Sequence, residues 1–310
     1  MTEISGLAKE RVLVVGGGGF IGRYVVSAFL RAGAKVTAMD LFPPPEGEPV
    51  VGSVADEALF ASAVSGHSIV AFLANSSLPG SANADLAAEV DAHVRVTIKA
   101  AEICQAHGVE RFLFASSGGT VYGHSSAEPL REDSQTSPRN AYGVSKLSVE
   151  NYLRVLGFLR DMTTVSLRIA NPYGEGQRAT RNQGFIAAAM QRAMTGEPLS
   201  IWGDGTVERD FLYVGDVASA FLHAAQYRGE PAVLNIGSGQ SLTLLEAVKK
   251  VEVATGRKVT TTFEHGRSID VQKNVLCVQK AEKTLGWAPK ISIDEGLSRT
   301  AAWWQEVSST

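Results

Sequence analysis

The chain has 310 residues, of which 45% are hydrophobic and 20% charged, and its formal net charge is -3. This length allows one large domain or two moderate ones, and the weak negative charge excludes a general attraction for nucleic acid or an anionic membrane. Two cysteines, Cys104 and Cys277, are too few for a disulfide framework and lack metal-ligand spacing, so we expect no metal site. We find neither a signal-peptide core nor an apolar run of membrane-spanning length, and we expect a cytoplasmic protein.

In the first half of the chain, short apolar runs alternate with helical patterns. The runs predicted as buried parallel strands are residues 11–15, 35–39, 68–74, 111–115 and 163–169. The predicted helices cover residues 20–33, 85–107 and 141–160, and the segment 42–49, with four prolines, is predicted as a loop. Strands that alternate with helices predict an α/β fold with a Rossmann-type doubly wound parallel sheet.

The second half has a less regular pattern. Its predicted elements are helices at 184–195, 216–226, 244–255 and near the end of the chain, with strand-like runs at 233–236 and 258–263. We expect a dinucleotide-binding domain over residues 1–170 and a smaller mixed α/β, mainly substrate-binding domain over residues 171–310. Segments near 211–237 and 268–280 are expected to return to the first domain.

A run of glycines follows the first strand directly and opens the first helix. In the pattern G-x-x-G-x-x-G, Gly16 lets the chain turn sharply, Gly19 lets the backbone approach a pyrophosphate, and Gly22 lets the helix pack closely on the strand. The free N–H groups at the helix N-terminus attract phosphate. This context predicts dinucleotide binding, although a purely structural turn has the same glycines.

The second predicted strand ends at Asp40, whose carboxylate is suited to accept hydrogen bonds from an adenosine ribose. The next residues are Leu41 and Phe42 rather than arginine or lysine. A ribose 2′-phosphate would be repelled by Asp40 and left unpaired, so the sequence favours NAD over NADP. The alternative is that Asp40 only caps the turn.

A second pattern lies at the start of the helix predicted over residues 141–160. Tyr142 and Lys146 are spaced i and i+4, which places them on one helix face. A phenol with a pKa near ~10 is a poor base at neutral pH, but a nearby ammonium and the positive nicotinamide would lower that pKa. Alone, the same spacing also fits an exposed lysine beside a half-buried tyrosine.

Hydroxyl groups and glycines follow the strand predicted at 111–115, in the order Ser116-Ser117-Gly118-Gly119-Thr120. The carboxyl edge of a parallel sheet is where such folds bind ligands. Ser117 or Thr120 is therefore a candidate to hydrogen-bond a substrate hydroxyl. For each residue singly, a capping or turn role explains the hydroxyl equally well.

Taken together and in this order, these segments resemble the extended short-chain dehydrogenase/reductases, specifically the nucleotide-sugar epimerases and dehydratases. The resemblance spans nearly the whole chain. It also includes Leu73-Ala74, the segment 168–176, Arg209-Asp210-Phe211 and Leu285-Gly286-Trp287 with Pro289.

The resemblance implies roles for the catalytic pair and for the cofactor site. Tyr142 would be the general acid/base, and Lys146 would hold the nicotinamide ribose and tune Tyr142. The residues expected to contact NAD are Gly16, Gly19, Phe20, Ile21, Gly22, Asp40, Leu41, Ser53, Val54, Leu73, Ala74, Asn75, Ser116, Tyr142 and Lys146.

The resemblance further implies a substrate site for a nucleotide-diphosphate sugar. Asn171, Arg209 and Arg267 would hold the diphosphate, because guanidinium groups fork onto phosphate oxygens; Asp270 completes the late Arg-x-x-Asp pattern. Asn274 stands where the family's 4-epimerases carry a gate near the sugar C2 substituent, and its small size would admit N-acetyl sugars. The alternatives are a surface salt bridge for Arg209 and a simple polar loop residue at 274.

Three residues depart from the family pattern. Gly118 replaces the usual serine or threonine, so that hydroxyl role passes to Ser117, Thr120 or neither. Ser53 replaces an adenine-contacting aspartate, and His93 replaces an asparagine on the helix predicted over 85–107. The first departure bears on catalysis, whereas the other two suggest an altered cofactor affinity.

The activity predicted first is epimerisation at C4 of a nucleotide-linked hexose, most simply a UDP-hexose, through a transient 4-keto sugar. A 4-ketoreductase and a catalytically impaired NAD-binding relative remain alternatives. A 4,6-dehydratase or a decarboxylase needs a carboxylate beside Thr120, and Gly118-Gly119-Thr120 supplies none. The family often forms homodimers through its two long helices, and we expect the same of residues 85–107 and 141–160.

Overall fold

A seven-stranded, wholly parallel sheet forms the centre of the computed structural model, which describes residues 7–75, 77, 81–124, 129–159, 161–179, 184–266 and 271–308. Its strands are β1 (Arg11–Val15), β2 (Lys35–Asp40), β3 (Glu48–Val51), β4 (Ile69–Phe72), β5 (Arg111–Ser117), β6 (Thr163–Ile169) and β11 (Ala232–Ile236). The spatial order is β11-β6-β5-β4-β1-β2-β3, so the direction of winding reverses between β1 and β4. The predicted Rossmann-type α/β fold is confirmed, and ligands of such sheets bind at this reversal.

Helices cover both faces of the sheet and bury its apolar strands. They are α1 (Phe20–Arg31), α2 (Glu57–Val64), α3 (Leu86–Glu89), α4 (Val96–Ala106), α5 (Ala141–Leu159) and α7 (Val214–Gln226). α1 and α7 pack on one face, while α2, α4 and α5 share a core with the other. Every residue of β4 is buried, as expected for a strand that has helices on both sides.

Most of the second half packs beside the carboxyl edge of the sheet around a separate apolar core. The helices α6 (Phe185–Thr195), α8 (Leu244–Thr255) and α10 (Ile293–Ser308) surround this core, whereas α9 (Gln279–Leu285) packs against β11 and α7. The short strands of the second half are β7 (Asn171–Tyr173), β8 (Leu199–Trp202), β9 (Glu208–Arg209), β10 (Phe211–Tyr213), β12 (Leu242–Thr243), β13 (Thr261–Glu264) and β14 (Lys273–Asn274). They form the small sheets β10-β7, β12-β9-β14 and β13-β8.

The structure corrects three sequence predictions. The predicted loop 42–49 ends early, because β3 begins at Glu48 and pairs with β2 at the edge of the sheet; Pro49 is tolerated in an edge strand. The strand predicted at 258–263 lies at Thr261–Glu264, where it pairs with β8. The long helix at 85–107 is interrupted by a π-helical segment, Val90–Arg95, between α3 and α4. Tertiary pairing and packing, which no local pattern encodes, decide all three.

No helix in the described ranges combines the length and apolar character needed to cross a membrane. The same ranges contain no group of three or more His, Cys, Asp or Glu side chains arranged to hold a metal ion. Cys104 and Cys277 are both buried free thiols, and burial raises the pKa of Cys104.

Candidate active site

One large cavity, of about 1380 Å³, lies at the carboxyl edge of the central sheet and extends under the second half of the chain. The residues expected at the cofactor all line it: Gly16, Gly19, Phe20, Ile21, Gly22, Asp40, Leu41, Ser53, Val54, Leu73, Ala74, Asn75, Ser116, Tyr142 and Lys146. Ser117, Thr120, Asn171 and Arg209 line it as well. The glycine turn, the hydroxyl residues and the candidate phosphate ligands therefore all line the same cavity.

The glycine turn between β1 and α1 is built for close backbone approach. Gly16 has a φ of +85°, and its N–H donates to the carbonyl of Met39 at 2.8 Å. A Cβ on Gly16 would lie 2.7 Å from the backbone nitrogen of Ala74, and a Cβ on Gly22 would overlap the Gly16 carbonyl oxygen. α1 starts at Gly19 without a side-chain cap, so its first N–H groups are available to a phosphate.

Asp40 ends β2 beside this turn. One oxygen of its carboxylate accepts a hydrogen bond from the Gly18 N–H at 2.9 Å, and the other accepts from the Leu41 N–H at 2.7 Å. Two backbone donors hold the carboxylate against the turn, in the wall of the cavity. An uncapped helix start, a turn without side chains and a fixed carboxylate at the next strand end fit the pyrophosphate and adenosine ribose of NAD.

Tyr142 and Lys146 face one another near the start of α5. Asn140 caps this helix, because its side-chain oxygen accepts from the Gly143 N–H at 2.8 Å. Lys146 is 2% exposed, and its Nζ donates to the carbonyl of Ala115 at 2.9 Å. The same Nζ lies 5.4 Å from the centre of the Tyr142 ring. The helix and β5 together bring phenol and ammonium to one point of the cavity wall.

Burial dominates the electrostatics of this pair. It lowers the pKa of Lys146 to about 7, against the opposing effect of the Glu89 and Glu150 charges. Burial, with a further contribution from Glu89, raises the pKa of Tyr142 above its ordinary value. The sequence interpretation expected a lowered phenol pKa from lysine and nicotinamide together; the protein environment alone acts in the opposite direction. A positive charge bound beside Tyr142, such as the nicotinamide of NAD⁺, would favour the phenolate and oppose this effect.

The three hydroxyls at the end of β5 have different surroundings. Ser116 donates to the Glu150 carboxylate, which also forms a buried ion pair with Arg168 at 2.7 Å. Ser117 is only half-buried and lines the cavity. Thr120 also lines the cavity, and its Oγ1 is buried without a hydrogen-bond partner among the described residues. Ser116 is thus used by the protein itself, which leaves Ser117 and Thr120 as candidates for a substrate hydroxyl.

Gly118 has no room for the hydroxyl residue that the family usually carries there. A Cβ at this position would lie 2.5 Å from Leu276 Cδ1 and 2.9 Å from the carbonyl oxygen of Arg168. The Gly118 carbonyl also accepts a hydrogen bond from Asn274 Nδ2 at 3.0 Å. The departure at Gly118 therefore matches its packing partner, Leu276.

Asn171 and Arg209 lie together at the other end of the cavity. Asn171 Nδ2 donates to the Asp210 carbonyl at 2.9 Å, and Arg209 donates to the carbonyls of Glu208 at 2.9 Å and Val271 at 2.6 Å. These backbone acceptors fix the guanidinium in the cavity wall. Asp210, the residue after Arg209, is fully buried, and its carboxylate accepts hydrogen bonds from the backbone N–H and the hydroxyl of Ser238.

The remaining predicted substrate ligands are placed differently. Arg267 and Asp270 lie outside the described residues. Asn274 is 1% exposed and holds Gly118 through its side chain, so it lies behind the cavity wall.

Sequence reasoning missed several polar residues of the cavity wall in the second half: Arg178, Gln191, Arg192, Trp202 and Glu264. Trp202 Nε1 donates to Glu264 at 2.8 Å across the β8–β13 pair. The sequence indicated only a helix at 184–195 and a strand-like run at 258–263 in this region. Nothing local indicated that β8, α6 and β13 would meet at the cavity, because that depends on long-range pairing.

Fold and site together define a class of protein: a dinucleotide-dependent enzyme in which a tyrosine–lysine pair and a glycine turn line the same cavity. The family model of the NAD dependent epimerase/dehydratase family matches residues 12–237. The chain therefore belongs to this family, and its cofactor is NAD. Both the recognised family and the expected cofactor are confirmed.

Individual relatives agree with this assignment. The chain is 30% identical over 305 residues to dTDP-4-dehydro-6-deoxyglucose reductase from Escherichia coli, covering 94% of this chain and 96% of that protein. The structure of UDP-glucose 4-epimerase from Thermotoga maritima with UDP-glucose is similar, with a TM-score of 0.91, 31% identity and coverage of 96% and 99%. UDP-glucose 4-epimerase from Thermus thermophilus in complex with NAD gives a TM-score of 0.88, 29% identity and coverage of 95% and 99%.

Proposed function

We propose that this enzyme epimerises C4 of a nucleotide-diphosphate sugar, and that the sugar is a UDP-hexose. The observation that carries the proposal is the position of Tyr142 and Lys146 in the wall of one cavity, which the glycine turn and Arg209 also line. Such a cavity accommodates a dinucleotide and a sugar nucleotide together. Full-length similarity to UDP-glucose 4-epimerases supports the same reaction.

The chemistry required of the chain is proton transfer at the sugar O4. NAD, when bound, accepts a hydride from C4 and returns it. Tyr142 takes the O4 proton as the sugar is oxidised to the 4-keto form, and gives it back when the ketone is reduced on the opposite face. Lys146 stabilises the phenolate with its charge, and Ser117 or Thr120 donates to O4 while the negative charge develops there.

Epimerisation also requires that the 4-keto sugar turn over between the two hydride transfers. Turning is easiest when the diphosphate is held firmly and the sugar loosely, so that both faces of C4 can be presented. Arg209 and Asn171, fixed by backbone carbonyls, are suited to the firm hold. Arg267 is proposed as a further ligand of the diphosphate, and Asp270 as a further substrate-binding residue.

The test is incubation of the purified enzyme with UDP-glucose, UDP-galactose and their N-acetyl forms, with NAD present and products separated by chromatography. We expect interconversion of one C4 pair without net consumption of NAD. Tyr142→Phe should lower turnover by at least about 100-fold, the usual contribution of a general acid/base, and leave NAD binding near normal. Unchanged turnover in this variant would refute the assignment of Tyr142.

A 4-ketoreductase is the second candidate, because a dTDP-4-dehydro-6-deoxyglucose reductase is similar over 94% of this chain. The same tyrosine, lysine and dinucleotide serve that reaction. A reductase consumes external NADH in proportion to the keto-sugar supplied, whereas an epimerase recycles its bound cofactor. A steady loss of NADH absorbance with a nucleotide 4-keto sugar, and no epimerisation of UDP-hexoses, would decide for the reductase.

We also propose that the enzyme is a homodimer. An apolar stripe on the solvent side of α5 supports this: its members are Val144, Tyr152, Val155, Phe158 and Leu159, between 47% and 72% exposed. On α3, Leu86 is 63% exposed. A continuous apolar patch of this kind on a helix pair marks an interaction surface, and a second copy offers the same patch across a two-fold axis.

Light scattering after size-exclusion chromatography measures the oligomeric state. The charge-introducing variant Val155→Asp should convert a dimer to a monomer, since it places a charge in the apolar stripe. Val253→Asp is the matched control, because Val253 is 85% exposed on α8, away from α5. A monomeric wild-type chain, or a dimer that survives Val155→Asp unchanged, would contradict the proposal.

We further propose that the chain is divided into two domains and that the enzyme is located in the cytoplasm. The proposed division is a dinucleotide domain over 1–170 and a mainly substrate-binding domain over 171–310, with segments near 211–237 and 268–280 returning to the first domain. Strand β11, which extends the central sheet, supports this division. The apolar cores on the two faces of the sheet are separate from the core among α6, α8 and α10, which supports the same division. Two free buried thiols support a reducing compartment, the cytoplasm.

A further inference from the structure

An acidic side chain that the proposed mechanism does not use lies behind the catalytic pair. Glu89 ends α3 and is 5% exposed, and its Oε1 is buried without a hydrogen-bond partner among the described residues. Leaving a buried carboxylate oxygen unpaired is costly, so its retention requires an explanation. α3 packs against α5, the helix that carries Tyr142 and Lys146.

The backbone at this point is irregular as well. Glu89 immediately precedes the π-helical segment Val90–Arg95, and such segments within α-helices occur frequently at functional sites. One turn further on, His93 is 2% exposed, lines the cavity and has an unpartnered Nε2. Burial, with the Lys146 charge, lowers the pKa of His93 to about 2. His93 is therefore neutral and does not balance any charge in this cluster.

The charge of Glu89 acts on Tyr142 and Lys146 of α5, and Glu150 of the same helix also acts on Lys146. Glu150 already forms an ion pair with Arg168 at 2.7 Å, supported by Ser116. Its charge is therefore largely neutralised where it stands. Glu89 has no such described ion pair, so it is the acid best placed to balance the Lys146 ammonium.

We propose that Glu89 is a positioning residue for the reaction: it supplies the buried negative charge that keeps the proton on Lys146 and on Tyr142 until the nicotinamide charge arrives. Glu89 lies behind the cavity wall, so it acts through the pair and touches neither substrate nor cofactor. Its charge favours the ammonium form of Lys146 and disfavours the phenolate form of Tyr142. The positive charge of NAD⁺, when bound, would oppose this effect at Tyr142 and favour the phenolate.

The direct test is the ionisation of Lys146 itself, followed by NMR of the NAD-loaded enzyme labelled with ¹³Cε-lysine. The Lys146 signal is assigned by its disappearance in Lys146→Met. Glu89→Gln should lower the titration midpoint of Lys146 by about one pH unit, the size of effect that a single nearby charge has in a buried site. Glu89→Ala removes the same charge and should give the same shift, and Glu89→Asp should restore the wild-type midpoint.

The pH profile of kcat/KM is the second readout, and it alone rests on the proposed function. The falling limb of this profile reports deprotonation of Lys146, and the rising limb reports deprotonation of Tyr142. Loss of the Glu89 charge should move both limbs to lower pH. Glu102→Gln is the control, because Glu102 lies on the exposed side of α4, 3.5 Å from Lys99. A midpoint of Lys146 that is the same in Glu89→Gln and Glu89→Ala as in the wild type would overturn the proposal, whatever reaction the enzyme catalyses.

Discussion

The packing around Gly118 allows a prediction whose sign differs between two adjacent glycines. A methyl group at Gly118 would lie 2.5 Å from Leu276 Cδ1 and 2.9 Å from the Arg168 carbonyl oxygen, and the backbone oxygen cannot move away. A methyl group at Gly119 would meet only Asn171 Oδ1, at 3.9 Å. Neither glycine has a positive φ that would penalise alanine.

The expected magnitudes follow from these contacts. Gly118→Ala should destabilise the fold by about 1–3 kcal/mol, the usual cost of forcing one extra methyl into a packed core. Gly119→Ala should be neutral or stabilise by about 0.4–1 kcal/mol, because alanine restricts the unfolded chain and meets open space. Urea unfolding followed by circular dichroism measures both. Gly118→Ser should be at least as destabilised as Gly118→Ala and should not raise turnover.

A double-mutant cycle with Leu276→Ala separates the clash from other effects. Leu276 is fully buried, so Leu276→Ala alone should cost about 2–5 kcal/mol. Combined with Gly118→Ala, the loss should be smaller than the sum by at least about 1 kcal/mol, because the added methyl enters the space left by leucine. Equal stability of Gly118→Ala and Gly119→Ala, or strict additivity in the cycle, would refute the packing argument.

Three further predictions concern the cofactor, the substrate and pH. Asp40→Asn should weaken NAD binding about tenfold and reduce discrimination against NADP, as measured by calorimetric titration, because the carboxylate accepts strong hydrogen bonds from the ribose; unchanged selectivity would contradict it. Arg209→Ala should raise KM for the sugar nucleotide about 10- to 100-fold with the Kd for NAD unchanged, and Arg209→Lys should recover only part, since the fork is lost. The pKa of buried Lys146 in the folded protein, about 7, lies below its unfolded value of about 10.4, so the unfolded chain binds more protons between these values and stability should rise with pH there. Lys146→Met should reduce that slope by up to about 1.4 kcal/mol per pH unit in urea unfolding at a series of pH values; the same slope in both proteins would count against a lowered pKa of Lys146 in the folded state.

Local patterns were enough for much of the fold. The apolar runs of β1, β5 and β6, and the helix that starts at Phe20, were predicted within two residues of their observed bounds. These elements have strong periodicity and clear stop signals. β3 was missed, because proline-rich sequence argues against a strand and only an edge partner makes one possible. The two-residue strands β9, β12 and β14 have no local signal at all.

The amino-acid sequence by itself determined the class of fold, the glycine turn, the carboxylate at the end of β2 and the spacing of Tyr142 and Lys146. These depend on contacts within a few residues or on strand order, which the alternation of patterns encodes. Only the tertiary structure decided that Leu276 fills the space at Gly118, that Asn274 lies behind the cavity wall, and that Glu89 is buried where α3 packs against α5. Each of these is a contact between segments distant in the chain, and its energy depends on burial and packing that arise only when the helices and strands come together.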